Sequence, residues 1–165
     1  LANSATSGGG ALSLAQLDRA IDLVERPNAI IMPKSLKGRF PAAQRDTSIG
    51  GYIEVKSQEF GEEQVRYRGI PIYTGYGITN FGEFLPFNEV GAGGGSAVTG
   101  SIYVVRFAED GVAGLESAPM EVTDMGLLED GVNIRINIEH DVGMAVFDPF
   151  SALRLSSITN AAIVK

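Results

Sequence analysis

The clearest pattern along the chain is a strict alternation of apolar and polar residues that begins at residue 132. The apolar residues occupy even positions: Val132, Ile134, Ile136 and Ile138. A period of two is typical of a β-strand with one buried face, so the pattern predicts a long, half-buried strand. Even positions continue with His140, Val142, Met144 and Val146, while Asp141 and Gly143 mark a bend. The segment is therefore one bent strand or two strands joined by a tight turn.

A helical pattern lies near the start of the chain, in "SLAQLDRAIDLVERP". Its apolar stripe consists of Leu14, Leu17, Ile21 and Val24. This spacing predicts a helix over residues 13–25, with Ser13 as N-cap and Pro27 as the stop. The apolar run Ala29–Met32, closed by Pro33, predicts a short buried strand directly afterwards.

Weaker patterns fill the rest of the chain. Residues 34–46 predict one or two helical turns, and Asp148-Pro149 predicts a short helix that ends at Leu153. Further strands are predicted at Tyr52–Val55, Gln64–Tyr67, Ile70–Tyr73 and Ser101–Phe107, on either side of Pro119, and over residues 156–164. Pro71 marks an edge or a strand start. Helices and strands do not alternate regularly, so the predicted class is α+β.

Composition narrows the function classes. The 165 residues are 44% hydrophobic, which suits one domain, or one domain and part of another, with a packed core. The net charge of −7 argues against a broad nucleic-acid interface, and the lack of cysteine excludes disulfides and thiolate chemistry. No apolar run is long enough to cross a bilayer. Residues 1–12 are rich in small residues and are predicted to be flexible. Because the chain lacks an initiator Met, we expect a fragment or processed product.

His140, the only histidine, lies between Glu139 and Asp141. On a strand, both neighbours point to the face opposite the imidazole, so they cannot form a catalytic triad with it. The interpretation is a half-buried or bend-associated histidine with a hydrogen-bond partner. A hydrolase that uses His140 remains an alternative hypothesis, which His140→Ala would test.

Two other motifs have possible chemistry. The glycine tract of residues 91–96 lacks the Lys-Ser/Thr pair of a phosphate loop and precedes a strand, so it is interpreted as a flexible surface loop. The acidic pairs Glu109-Asp110 and Glu129-Asp130 each precede a glycine. Turns explain them better than a cation site, because Asp-Gly is a strong turn signal.

An aromatic-rich stretch has two open interpretations. It contains Tyr73, Tyr76, Phe81, Phe84 and Phe87. These residues are either a contact for a partner or ligand, or a small satellite core under a long loop. The residues thus predict no enzyme, and no catalytic, cofactor-binding or metal-binding residue.

The order of segments resembles the C-terminal half of a tailed-phage major capsid protein of the Hong Kong 97 fold. Three pieces carry the resemblance: "LAQLDRAIDLVERPNAIIMP", "YRGIPIYTGYGI", and "GSIYVVRF" followed by "VNIRINIEHDVGMAVFDPFSALRLSSITNA". It covers roughly residues 12–163, and it rests on order and spacing rather than on a single residue. Residues 42–66 and 80–100 depart from it.

The resemblance implies a Hong Kong 97-like fold that lacks the N-terminal arm, extended loop and spine helix. It divides the chain into a flexible segment (1–12), an axial domain (13–119), peripheral-domain strands (120–155) and a return to the axial domain (156–165).

The implied function is that of a structural subunit of an icosahedral viral capsid. It would self-associate into hexamers and pentamers, with scaffold and portal proteins as further partners, and enclose double-stranded DNA. The implied location is the virion, after assembly in the host cytoplasm. Two alternatives remain: a bacterial nanocompartment shell protein of the same fold, and a small ligand- or glycan-binding module.

Overall fold

A computed structural model of the protein describes residues 1–45, 53–57, 63–77, 82–127 and 131–165. Its helices are α1 (Leu14–Asp22), α2 (Lys34–Lys37) and α3 (Phe40–Gln44). Its strands are β1 (Ala29–Ile31), β2 (Ile53–Ser57), β3 (Glu63–Tyr67), β4 (Ile70–Tyr73), β5 (Glu89–Val90), β6 (Ala97–Val105), β7 (Val112–Glu116), β8 (Glu121–Leu127), β9 (Ile134–Glu139), β10 (Val142–Val146) and β11 (Ala152–Ile158). This order confirms the predicted α+β class.

The main sheet has the strand order β11-β6-β1-β4-β3-β2, and β5 pairs with β6. Only the β1–β4 pairing within this sheet is parallel among the described strands. Ile30 of β1 lies beside Ile72 of β4 and Val104 of β6, and all three side chains are buried. Residues of α1, α2 and α3 pack on this apolar face and complete one core.

Helix α1 confirms the helical stripe but ends at Asp22, earlier than the predicted boundary at residue 25. Ser13 occupies the N-cap position, but its side chain does not cap the helix. Its Oγ donates instead to the backbone oxygen of Lys165 at 3.0 Å. The backbone N–H of Leu14 donates to Val164 O at 2.9 Å, so the C-terminal segment satisfies a helix end that the sequence assigned to the serine.

The short elements after α1 confirm the sequence analysis. The strand β1, the turns α2 and α3, and the strands β3 and β4 lie where they were predicted, within a residue or two. Strand β2 begins at Ile53, and Tyr52 lies outside the described residues. Pro71 is the second residue of β4, which is an internal strand, so only the strand-start interpretation of this proline holds.

The N-terminal segment and the glycine tract, both predicted to be flexible, lie against each other. Asn3 N donates to Ser156 O of β11 at 2.9 Å, and Gly8 N donates to Gly94 O at 2.9 Å. A Cβ on Gly93 would lie 2.2 Å from Ala5 O, so the contact requires glycine there. Strand β6 begins at Ala97, earlier than the predicted Ser101.

Residues 112–146, called the arm from here on, form two consecutive two-stranded ribbons outside the main sheet. Strand β10 pairs with β7, and β9 pairs with β8, each antiparallel. Because β9 and β10 pair with different strands, residues 140–141 are a bend between consecutive strands and not a tight turn. Of the two predicted arrangements, the tight turn is therefore wrong, and one strand interrupted at residues 140–141 describes the segment.

The predicted helix over residues 148–153 is wrong. Asp148 O accepts hydrogen bonds from Ser151 N at 3.1 Å and from Ser151 Oγ at 2.6 Å, while Asp148 Oδ1 accepts one from Phe150 N at 3.0 Å. These bonds close a turn, and β11 begins directly after it. Strand β11 pairs with β6 from Ala152 onward, so the chain is back in the main sheet before residue 156. The predicted division into axial and peripheral domains stays a prediction.

Candidate functional site: an exposed β-arm

The arm has almost no buried side chain in its outer ribbon, β8 and β9. Its large apolar side chains are 59% to 66% exposed. They are Val122, Met125, Leu127, Ile134, Ile136 and Ile138. The prediction of a half-buried strand over these residues is therefore wrong within this structure. The alternation is present, but the described residues supply nothing that covers the apolar face.

The register places five of these apolar side chains on one face of the ribbon. Val122 lies opposite Ile138, and Leu127 lies opposite Ile134. The second pairing depends on a bulge between Asp124 and Leu127, where Gly126 has a φ of 77°. Without that extra residue Leu127 would point to the other face. The bulge therefore extends the apolar row to the tip of the ribbon.

The apolar row continues along the inner ribbon. Val142, Met144 and Val146 of β10 are 58% to 72% exposed. Long rows of exposed apolar residues are typical of interaction surfaces, whereas isolated exposed apolar residues are common and need no explanation.

The total surface of the chain supports the same conclusion. Its accessible area is 10296 Å², whereas a compact monomer of this mass exposes about 7,900 Å². The chain therefore exposes roughly 2,400 Å² more than a compact fold of its mass.

The arm also holds nearly all of the net charge. Residues 112–146 contain seven of the 20 carboxylates and one of the 13 basic side chains, so they carry −6 of the total −7. Glu121 of β8 lies directly opposite Glu139 of β9. Like charges in this position destabilise a ribbon. Asn137 Nδ2 donates to Glu139 Oε1 at 2.7 Å, but in the described part of the chain no cation pairs with either glutamate.

His140 lies at the bend between the two ribbons. Its Nε2 lies 2.9 Å from Glu116 Oε1, and its side chain is 35% exposed. The predicted hydrogen-bond partner and the position between two strands are confirmed, whereas the half-buried alternative is wrong because the residue is exposed. Glu116 lies opposite Val142, two residues beyond His140, which places the imidazole on the face of the even-numbered residues. Of the flanking acids, Glu139 binds Asn137 instead.

The remaining candidates separate into three groups. Gly111 N donates to Ala108 O at 3.0 Å, which confirms the turn at Glu109-Asp110. Glu129-Asp130 and Phe81 lie outside the described residues. Among the described residues, no three potential metal-ligating side chains cluster.

Each of the two interpretations of the aromatic stretch applies to part of it. Tyr73, Tyr76 and Phe84 are 49%, 55% and 61% exposed, whereas Phe87 packs against the core.

A polar cluster that the sequence analysis missed ties three strands of the main sheet together. Arg154 Nη2 lies 2.8 Å from Glu89 Oε2, and Arg154 Nε donates to Ser101 Oγ at 2.9 Å. Ser101 Oγ in turn donates to Glu89. The hydrogen bond that Arg154 donates to Glu89 raises the pKa of Arg154, and the bond that Arg68 donates to Asp22 raises the pKa of Arg68 on the helical side. Both groups are charged at any working pH, so these pairs are structural.

No protein-family model matches the chain, and no curated protein matches it. No helix of the described residues is long and apolar enough to cross a membrane. The fold is of the Hong Kong 97-like α+β type. Among solved structures that share it is the holo-SrpI encapsulin complex from Synechococcus elongatus PCC 7942, with a TM-score of 0.62 and 16% sequence identity. The match covers 94% of this chain and 53% of that chain, so the chain spans about half the length of this structural relative.

Proposed function

We propose that the chain is a subunit of a self-assembling protein shell. The observation that carries this proposal is the arm, whose apolar row is exposed along both ribbons. Exposed apolar area of this extent is stabilised only when a partner surface covers it. The Hong Kong 97-like fold supplies a body to which such an arm can be fixed rigidly.

Within this class, an encapsulin-like compartment is the better-supported candidate. The structural relative is an encapsulin, whereas the likeness to tailed-phage capsid proteins rests on the order of sequence segments alone. Enclosure of double-stranded DNA, hexamers and pentamers, scaffold and portal partners, a virion location and assembly in a host cytoplasm all stay predictions of the sequence analysis.

The proposal assigns no reaction to the chain. Shell formation needs buried area, shape and closure of repeated contacts, and none of these requires a reacting group. A hydrolase based on His140 would need a nucleophile within hydrogen-bond reach of the imidazole. The hydrogen-bond partner of His140 in the described residues is Glu116, a carboxylate that orients the ring.

The test is electron microscopy and analytical ultracentrifugation of the full-length gene product. We expect closed particles or rings. Ile136→Asp, on the apolar face, should lower the assembled fraction at least about tenfold, because it places a charge inside the contact. The matched control is Ala15→Asp, which adds the same charge at an exposed position of α1, outside the arm, and should leave particles intact.

A monodisperse monomer at all concentrations would overturn the shell proposal. It would favour the small ligand-binding module, which predicts a stable monomer with a saturable ligand site at the exposed aromatics. Ligand screening would follow, together with His140→Ala.

A further inference from the structure

The outer ribbon of the arm holds two negative charges that lie opposite each other. Glu121 and Glu139 face each other across β8 and β9, on the side of the ribbon opposite the apolar row. Directly opposed residues have Cβ atoms about 4.5–5.5 Å apart, so the two carboxylates repel each other. The nearest cation on this face is Arg135, four residues from Glu139 along the strand, which is about 13 Å away. The arm alone does not neutralise this pair.

A basic surface of the right form lies on the main body, at α2 and α3. Residues 34–45 contain four basic side chains and no acidic one: Lys34, Lys37, Arg39 and Arg45. In the described structure none of them forms an ion pair. The buried side chain of Leu36 fixes α2 to the core, with Lys34 exposed and Lys37 partly exposed. The carboxylate of Glu83 borders this surface, where it accepts a hydrogen bond from Ser35 N.

The spacing of the two lysines matches that of the two glutamates. Lys34 and Lys37 are three residues apart on one helical turn, which puts their Cβ atoms about 5–6 Å apart. They border a recess of about 200 Å³ that is also lined by Pro41, Val65 and Thr74. Two cations and two carboxylates with nearly equal spacing form two parallel ion pairs without distortion of either element.

The basic surface adjoins exposed aromatic residues. Lys34 Nζ lies 4.3 Å from the centre of the Tyr76 ring, and a Cβ on Gly75 would lie 3.4 Å from Phe84. Tyr76 and Phe84 are 55% and 61% exposed. Aromatic side chains beside cations are typical of the centre of protein interfaces, where charged residues other than Arg are otherwise scarce. This patch therefore offers apolar area as well as charge.

We propose that the arm of one copy docks on the α2–α3 surface of a second copy, with Glu121 and Glu139 paired to Lys34 and Lys37. This inference rests on the proposed function and adds to it a contact made by the face of the ribbon opposite the apolar row. Two arms cannot pair with each other, because each carries −6. Since the arm and the α2–α3 surface are different patches, the contact is heterologous, and its repetition builds a ring.

The experiment reverses the charges of each side in the full-length protein. Variant A is E121K/E139K on the arm, and variant B is K34E/K37E on α2. Each should assemble at least about tenfold more weakly than the wild type, with the residual assembly less sensitive to salt over roughly 0.05–0.5 M NaCl. The matched control R19E/K165E changes the net charge as variant B does, at two exposed positions elsewhere, and should assemble as the wild type does.

Mixing the variants shows whether the contact lies between copies. In an equimolar mixture the lysine arm of A meets the glutamate surface of B, and the wild-type arm of B meets the wild-type lysines of A. We therefore expect A and B to co-assemble although neither assembles alone. If the arm docked within its own chain, mixing would restore nothing, and the melting temperatures of A and B would fall instead.

The outcomes separate this inference from the proposed function. If the wild type forms particles and A and B do so equally well, the docking inference is wrong and the shell proposal stands. If EDTA alone disperses wild-type particles, a metal ion bridges the glutamates and the lysine pairing is wrong. If the wild type never assembles, both proposals fail.

Discussion

The main sheet and the arm are both built of β-strands, yet they use their apolar residues in opposite ways. In the main sheet, Ile30 and Val104 lie beside each other and are fully buried under the helices. In the arm, Val122 and Ile138 lie beside each other in the same manner and are each 61% exposed. Pairing between strands is thus equally good in both regions. What differs is whether a second layer exists to cover the sheet.

This difference separates residues that stabilise the fold from residues that, under the proposed function, are available for assembly. A buried apolar side chain contributes to the stability of the single chain, whereas an exposed one contributes only when a partner arrives. The charges follow the same division, because the arm holds −6 and the rest of the chain −1. Substitutions in the two regions should therefore affect different measurements.

The largest expected effect is a loss of stability from the core. Phe40 is fully buried and makes an edge-to-face contact with Tyr67, with 6.2 Å between ring centroids. Phe40→Ala should lower the free energy of unfolding by about 3–5 kcal/mol. The same type of truncation in the arm, Ile136→Ala, should cost less than about 0.5 kcal/mol in the unassembled chain. Urea unfolding at low protein concentration measures both, and equal losses would contradict the comparison.

A smaller effect is expected where the glycine tract meets the N-terminal segment. Gly93→Ala would place a methyl group against Ala5 O, so we expect a loss of about 1–3 kcal/mol and faster proteolysis within residues 1–12. Gly114→Ala in β7 is the control, since a Cβ there meets no atom within 4 Å. Limited proteolysis that cannot distinguish the two variants would show that the docked segment contributes nothing.

A single polar contact on the helical side should matter less again. Tyr67 Oη donates to Asp18 Oδ1 at 2.9 Å, under a ring that is almost fully buried. Tyr67→Phe keeps the ring and removes only this donor, so it should cost about 0.5–1.5 kcal/mol by thermal or urea unfolding. A neutral or stabilising result would mean that solvent replaces the bond at no cost.

The smallest effect is expected at His140. Its contact with Glu116 lies at the surface, and surface ion pairs contribute about 0–1 kcal/mol. His140→Ala should therefore leave the melting temperature of the single chain nearly unchanged. A large loss of stability would show that the bend between the ribbons depends on this contact.

The sequence predicted those elements whose signals are local. Helix α1 follows from its stripe of leucines and Ile21, and β1 follows from a short apolar run closed by Pro33. The strands β9 and β10 follow from alternation alone, and so does the face on which His140 lies. Each of these depends on a period set by backbone geometry, which neighbouring residues can specify without the rest of the fold.

The errors occur where a distant segment replaces the local partner. The side chain of Ser13 does not cap α1, because the C-terminal residues satisfy the helix end, and residues 148–153 form a turn where a helix was predicted. The cluster of Glu89, Ser101 and Arg154 gave no signal at all, because its members are 12 and 53 residues apart.

The sequence by itself determined the periods, the α+β class and which face of each strand is apolar. Only the tertiary structure decided which apolar faces are covered within the chain and which are not. The physical reason is that an apolar row shows which face of a strand should be buried, but it does not specify which surface covers that face. Ile30, in a continuous apolar run, and Ile136, in an alternating one, both belong to apolar strand faces, but the helices α1, α2 and α3 reach only the first of them.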